Sequence, residues 1–274
     1  MTTGAELTTG PRRLHHAFEE RRGRAALMPY LMAGFPSLEG SLEVGRAYAK
    51  HADLVEVGVP FSDPLADGPV IQAAGQAALK AGATFDDVLE KLTQPLGTDV
   101  PVVLMCYMNQ ILAYGVEAAP FAMLTHGVSG LIVPDLPAAE AAELRAACDE
   151  AEVALVPLVA PTTPPEEVRF IAENARGFVY VVSVTGVTGE RAQLPPEIRR
   201  VVGHVQEAAT VPAVVGFGIG TPAQAAAVAE IADGVIIGSR LVREIAEAAS
   251  LEDGLAGIDR FLAETSNALR LPPG

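Results

Sequence analysis

The chain has 274 residues, half of them hydrophobic, and a formal net charge of −15 at pH 7. The length suits one large domain and lies close to the roughly 250 residues of a (β/α)8 barrel. The acidic balance argues against nucleic acid or an anionic membrane surface as partner, although backbone dipoles can still hold an anionic substrate locally. Two cysteines, Cys106 and Cys148, give no disulfide framework and fit a reducing compartment. Residues 1–10 lack a basic start followed by an apolar stretch, so no signal peptide is expected. The longest apolar run, 25–35, is broken by Pro29, so no transmembrane span is expected either. Together these features predict a cytoplasmic protein.

In chain order, residues 1–10 read as a flexible tail and 11–22 as a short helix ended by Gly23. Eight apolar strand-like segments follow: 26–32, 54–59, 102–107, 130–134, 154–159, 178–184, 213–216 and 234–237. Helix-like segments separate them: 39–50, 69–81 with 84–94, 116–125, 138–150, 165–175, 196–208, 222–230, and 240–248 with 252–269. Near-continuous apolar strands suit a parallel sheet covered on both faces. The alternative, a doubly wound sheet, more often stops at five or six strands. The pattern therefore predicts an α/β protein, a single (β/α)8 TIM barrel over residues 11–270 with an extra N-terminal helix. In such barrels function sits on the loops after the strand C-termini.

The stretch 54–69, Leu-Val-Glu-Val-Gly-Val-Pro-Phe-Ser-Asp-Pro-Leu-Ala-Asp-Gly-Pro, stands out. Strand alternation puts Leu54, Glu56 and Gly58 on one face and Val55, Val57 and Val59 on the other. Glu56 is a carboxylate in an otherwise apolar strand, and charged groups are rarely buried without a partner or a task. The turn carries Asp63 and Asp67, and Pro69 suits the first position of a helix. Asp67, just before Gly-Pro, reads equally as a helix-start residue.

The run Pro60-Phe61-Ser62-Asp63-Pro64-Leu65-Ala66-Asp67-Gly68-Pro69 resembles the signature of the tryptophan synthase alpha subunit family, which cleaves indole-3-glycerol phosphate. The resemblance runs from about Leu27 to Leu269. Two departures stand out. Val184-Thr185 replaces a common Arg-Ser, and Gly34-Phe35-Pro36 replaces a common Gly-Asp-Pro.

Glycine-rich loops follow the last three strand segments: Thr185-Gly186-Val187-Thr188-Gly189, Gly216-Phe217-Gly218-Ile219-Gly220 and Gly238-Ser239. Glycine lets backbone N–H groups approach an anion, and a helix N-terminus adds a favourable dipole. Helices starting near Thr221 and Ser239 would aim such ends at the barrel mouth, as in a recurring barrel phosphate site. The resemblance implies Gly189, Gly218, Gly238 and Ser239 as the phosphate set.

Other chemistries find little support. Lys50, Lys80 and Lys91 all lie on helical segments, so a Schiff-base lysine at the mouth is disfavoured. His15, His16, His51, His126 and His204 form no cluster that spacing would bring to the mouth, so no metal is expected. Cys106 reads as a small core residue. Carboxylate acid–base chemistry remains. Burial should raise the pKa of Glu56, which suits a proton shuttle, while Asp67 on its loop would stay ionised. The resemblance implies that Glu56 moves the protons and that Asp67 holds the indole N–H. It also puts Tyr180 in the pocket near Glu56. Tyr30, Phe217 and Leu104 are candidates to line a slot for a flat ring.

Loop 185–195, with Thr188 and Arg191, is the natural lid. The resemblance implies no cofactor for this chain. It implies an alpha2beta2 complex with a beta subunit that carries pyridoxal phosphate. Pro60 and Asp63, in an apolar loop, are assigned to that partner contact. Two other readings remain open from sequence: a stand-alone lyase, and a non-catalytic barrel that binds a phosphorylated ligand.

Overall fold

The computed structural model describes residues 9–21, 23–182, 195–216 and 218–270. Its strands are β1 (Ala26–Met32), β2 (Val55–Gly58), β3 (Val102–Met105), β4 (Val128–Ile132), β5 (Ala154–Val156), β6 (Leu158–Val159), β7 (Val179–Val182), β8 (Ala213–Gly216) and β9 (Gly234–Ile237). They form one parallel sheet in the order β5-β4-β3-β2-β1-β9-β8-β7-β6. The two ends of that order, β5 and β6, are consecutive pieces of one stretch, so the sheet closes on itself into a barrel. Pro157 divides them because it has no N–H to give a ladder. Its carbonyl still accepts the Tyr180 N–H at 3.0 Å.

Strand alternation sorts the apolar side chains into two layers. Leu27, Leu31, Val55, Val57, Val102, Leu104, Val181, Val215 and Val235 pack outward against the helices. Met28, Leu54, Val103, Ile132, Val156, Phe178, Val214 and Ile236 pack inside the barrel. The N-terminal helix, Gly10–Glu19, adds Leu14 and Phe18 to this inner cluster. Phe18 meets Phe178 at 5.9 Å between ring centres. The Gly10 N–H donates to the Glu152 carbonyl just before β5 at 2.9 Å, and Leu14 lies against Gly177 just before β7, so this helix plugs the end opposite the strand C-termini. Each large apolar side chain buried there contributes about 1.5–3 kcal/mol.

The structure corrects several sequence boundaries. The first helix begins at Gly10 and ends at Glu19 rather than spanning 11–22. Strand β3 ends at Met105, not 107, and a helix Met108–Tyr114, which the sequence pattern does not predict, follows at once. The segment 84–94 is not one regular helix, because Leu89–Thr93 is a π-turn. There the Thr93 hydroxyl donates to the carbonyls of Leu89 and His126, at 3.0 and 3.1 Å. Among the described residues no helix is long and apolar enough to cross a membrane.

Candidate active site

Glu56 points into the barrel, beside Tyr30 on β1 and Val103 on β3 in the strand register. It is 1% exposed, and its Oε2 is buried without a hydrogen-bond partner among the described residues. Burial penalises the charged form, and the neighbouring Asp67 adds repulsion; together they push the Glu56 carboxyl up to about 8. At neutral pH it therefore holds its proton, in the direction expected from the sequence.

One layer nearer the mouth, two glycines make room for two phenols. A side chain at Gly58 would collide with the Tyr30 hydroxyl, and one at Gly216 with the Tyr180 hydroxyl. Glycine is required at both places by close approach. Burial and the two carboxylates raise both phenols well above the ordinary tyrosine range, so both stay neutral. Tyr180 thus stands in the mouth near Glu56.

Loop 60–69 brings Asp67 to the same place. Its supports come from the residues after β3 and from the helix that follows the loop. Phe61 stacks on Tyr107, with ring centres 4.9 Å apart. The Ala66 N–H donates to the Tyr107 hydroxyl at 3.1 Å, and that hydroxyl donates to the Asp67 carboxylate. The Gln110 amide donates to the Pro60 carbonyl at 3.2 Å, and the Gln72 amide to the Asp67 carbonyl at 2.9 Å. The following helix, Pro69–Lys80, is capped at Gly68 with no side-chain hydrogen bond. Asp67 is therefore not spent as a helix-start residue. Burial raises its pKa to about 6, against the lowering effect of Tyr107. The carboxylate is less freely ionised than its loop position suggests, yet remains charged at neutral pH. Tyr107 and Gln110 escape a reading of the sequence alone, although Tyr107 directly follows a barrel strand, where functional residues gather.

Asp63 is exposed and accepts the Ser62 hydroxyl at 2.7 Å. Pro60 is buried, whereas Leu65 on the same loop is 91% exposed.

Across the mouth, Gly218 has φ +43°, a left-handed conformation suited to glycine. Gln224 Oε1 ties down the next turn by accepting from the N–H groups of Gly220 and Thr221, at 2.7 and 3.0 Å. Gly238 caps the helix Ser239–Glu247, whose first N–H groups have no intrahelical acceptor. Such an end favours an anion. A Cβ on Gly238 would stand 3.6 Å from the Tyr30 ring, so this helix end and the carboxylates share one mouth. Leu104 does not line the slot. It packs outward among the helices, because the alternation on β3 turns Val103 and Met105 inward instead. Gly189, Thr188, Arg191 and Phe217 lie outside the described residues.

A closed parallel barrel with this equipment at its strand ends belongs to the (β/α)8 enzymes. Comparison with known proteins narrows the class. The family model described as tryptophan synthase alpha chain matches residues 17–269. A tryptophan synthase alpha chain from Chloroflexus aurantiacus is 43% identical over 253 residues, covering 91% of this chain and 95% of that one. One from Synechococcus sp. is 46% identical over 252 residues, covering 91% and 93%. A solved structure of Mycobacterium tuberculosis tryptophan synthase matches with a TM-score of 0.85 at 38% identity, covering 95% of this chain and 99% of that one. The chain belongs to the tryptophan synthase alpha chain family. It is thus a lyase of tryptophan biosynthesis that cleaves indole-3-glycerol phosphate. The alpha chain uses no cofactor of its own, and its alpha2beta2 partner, the beta subunit, carries the pyridoxal phosphate.

Proposed function

We propose that cleavage proceeds by carboxylate acid–base catalysis at the mouth, with Glu56 moving the protons and Asp67 holding the ring. Glu56 gives its proton to indole C3, forming an indolenine. Asp67 accepts a hydrogen bond from the ring N–H and stabilises the positive charge that grows there. Glu56, now a carboxylate, takes the proton from the hydroxyl on the carbon bonded to the ring. The C–C bond breaks, its electron pair returns to the ring, and glyceraldehyde 3-phosphate leaves as the aldehyde. Tyr180 lines the pocket beside Glu56. The phosphate rests on Gly218, Gly238 and Ser239, with Gly189 completing the set and Thr188 and Arg191 closing as a lid. Asp63 faces the beta subunit, and Pro60, buried at the base of the same loop, passes that contact on to loop 60–69 and with it Asp67. On this reading the enzyme works in the cytoplasm.

The observation that carries the proposal is a fully buried Glu56 beside Asp67 at one barrel mouth, where burial pushes the first carboxyl up to about 8 and the second only to about 6. Two carboxyls whose environments set them to different protonation states divide acid and anion roles between them. Indole release by Glu56→Gln tests it. The amide keeps the shape and loses the acidic proton, so turnover should fall by about 10²-fold or more with substrate affinity largely kept. Near-normal turnover would overturn the mechanism.

A further inference from the structure

Tyr30 has a buried polar group for which the fold gives no use. The residue is 4% exposed, and its hydroxyl has no hydrogen-bond partner among the described residues. A buried hydroxyl left unpaired is costly, and native structures rarely tolerate one without a reason. Its place is also fixed. The Tyr48 hydroxyl donates to the Tyr30 carbonyl at 3.2 Å, holding the backbone. The base of the ring lies beside Gly238, at the start of the anion-binding helix. The hydroxyl end lies over Gly58, one inward position above Glu56 on the same strand. The ring therefore spans the mouth from the phosphate end to the carboxylate end. The second unpartnered polar atom there is Glu56 Oε2, on the residue paired with Tyr30 in the strand register.

We infer that the Tyr30 hydroxyl is a substrate-contacting hydrogen-bond donor, directed at the oxygen on the carbon that leaves the indole ring. The inference rests on the acid–base reading above and adds a residue to it. A three-carbon chain fixed by its phosphate at Gly238 runs along the Tyr30 ring, and its reacting end meets the hydroxyl. When the C–C bond breaks, the substrate oxygen gives its proton to Glu56 and becomes the aldehyde oxygen. Tyr30 keeps its own proton and stabilises the partial negative charge that gathers on that oxygen. The phenol suits this role because burial and the nearby carboxylates hold it neutral, as a donor. A donor preset toward developing charge costs no reorganisation at the moment of reaction.

The test is Tyr30→Phe, which removes one oxygen atom. Its kcat for indole-3-glycerol phosphate should fall at least about tenfold, within the range for loss of a donor to developing charge. Affinity for an analogue with the same ring, chain length and phosphate but no side-chain hydroxyls should stay within about twofold, measured by calorimetry. The melting temperature should hold or rise, since the lost hydroxyl has no partner in the free protein. A kcat within twofold of the parent overturns the inference. So does analogue affinity that falls in step with kcat, which marks a merely structural role even if the variant is less stable. Glu56→Gln, assayed beside it, separates the two claims. Lost turnover in Glu56→Gln with normal turnover in Tyr30→Phe removes Tyr30 alone, whereas normal turnover in Glu56→Gln removes the acid–base reading itself.

Discussion

The Tyr107 phenol donates a hydrogen bond to the Asp67 carboxylate, joining the first turn after β3 to the loop after β2. The same oxygen accepts the Ala66 N–H at 3.1 Å, and the ring stacks on Phe61. One residue therefore holds the loop at its backbone, at its aromatic side chain and at its carboxylate. A displacement of about 1 Å at a reacting group can cost about 10²-fold in rate. Tyr107→Phe keeps the stack and removes both hydrogen bonds. Its kcat for indole release should fall about tenfold or more, while the melting temperature shifts little. The change should be larger without the beta subunit, which on our proposal supplies a second hold on the loop. Equal losses with and without the beta subunit would detach Tyr107 from loop positioning.

The pH dependence of kcat/KM should be bell-shaped. Asp67 must be ionised to hold the ring N–H, which places the acid limb near 6. Glu56 must be protonated to act as the first acid, which places the basic limb near 8. Because the two carboxyls interact, both limbs belong to the pair. The limbs should be read from initial rates of indole release between about pH 5 and pH 9, which brackets both. A flat profile across that range would rule out this division of protonation states.

Stability should carry the same signature. Glu56 binds its proton more tightly folded, near 8, than unfolded, near 4.5. Between those values the folded state holds more protons than the unfolded chain, so stability falls as pH rises through the window. A tenfold difference in proton affinity is worth about 1.4 kcal/mol, so the loss across the window is on the order of a few kcal/mol. Asp67 adds a loss of the same sign between 3.8 and about 6. Urea melts of Glu56→Gln should show a flatter decline than the parent between about pH 6 and pH 8, beyond the Asp67 window. Parallel declines would place the proton elsewhere.

At the anion end, Gly238→Asp adds bulk beside the Tyr30 ring and negative charge where phosphate should sit. KM for indole-3-glycerol phosphate should rise about tenfold or more. Gly218→Ala isolates the backbone, because φ is +43° and no atom of the described residues lies within 4 Å of the added methyl. It should cost about 1 kcal/mol of stability through strain alone. A dephosphorylated substrate used as well as the phosphorylated one would dismiss the anion site.

The partner contact predicts that added beta subunit raises cleavage at least about tenfold, since on our proposal it adds a second hold on loop 60–69 to the one Tyr107 gives, and small displacements of a reacting group are costly. Asp63 is exposed and bonded only within its own loop, to Ser62, among the described residues. Asp63→Ala should blunt the rise while leaving the melting temperature unchanged. Equal stimulation of both proteins would take Asp63 out of the coupling.

Much of this is legible in the chain. Eight apolar segments alternating with helices specify a parallel sheet, because strands buried on both faces carry few polar residues. The period of two turns Glu56 inward and Val57 outward, and a carboxyl turned into an apolar barrel must have its pKa raised. The run from Pro60 to Pro69 carries the family. What the sequence leaves undetermined are relations across the sheet. Whether Asp67 starts a helix or serves the site is open in the sequence, and Tyr107 decides it from another loop. Leu104 and Tyr30 are both apolar-strand residues in sequence, yet one faces helices and the other crosses the mouth. The difference is one of register and strand phase, which a one-residue shift reverses. Gly58 reads as one more inward strand position and Gly216 as the start of a glycine-rich loop, but each is small because an aromatic ring from another strand lies against it. Local sequence determines which face a side chain takes along its own strand; only closure of the barrel determines what that face meets.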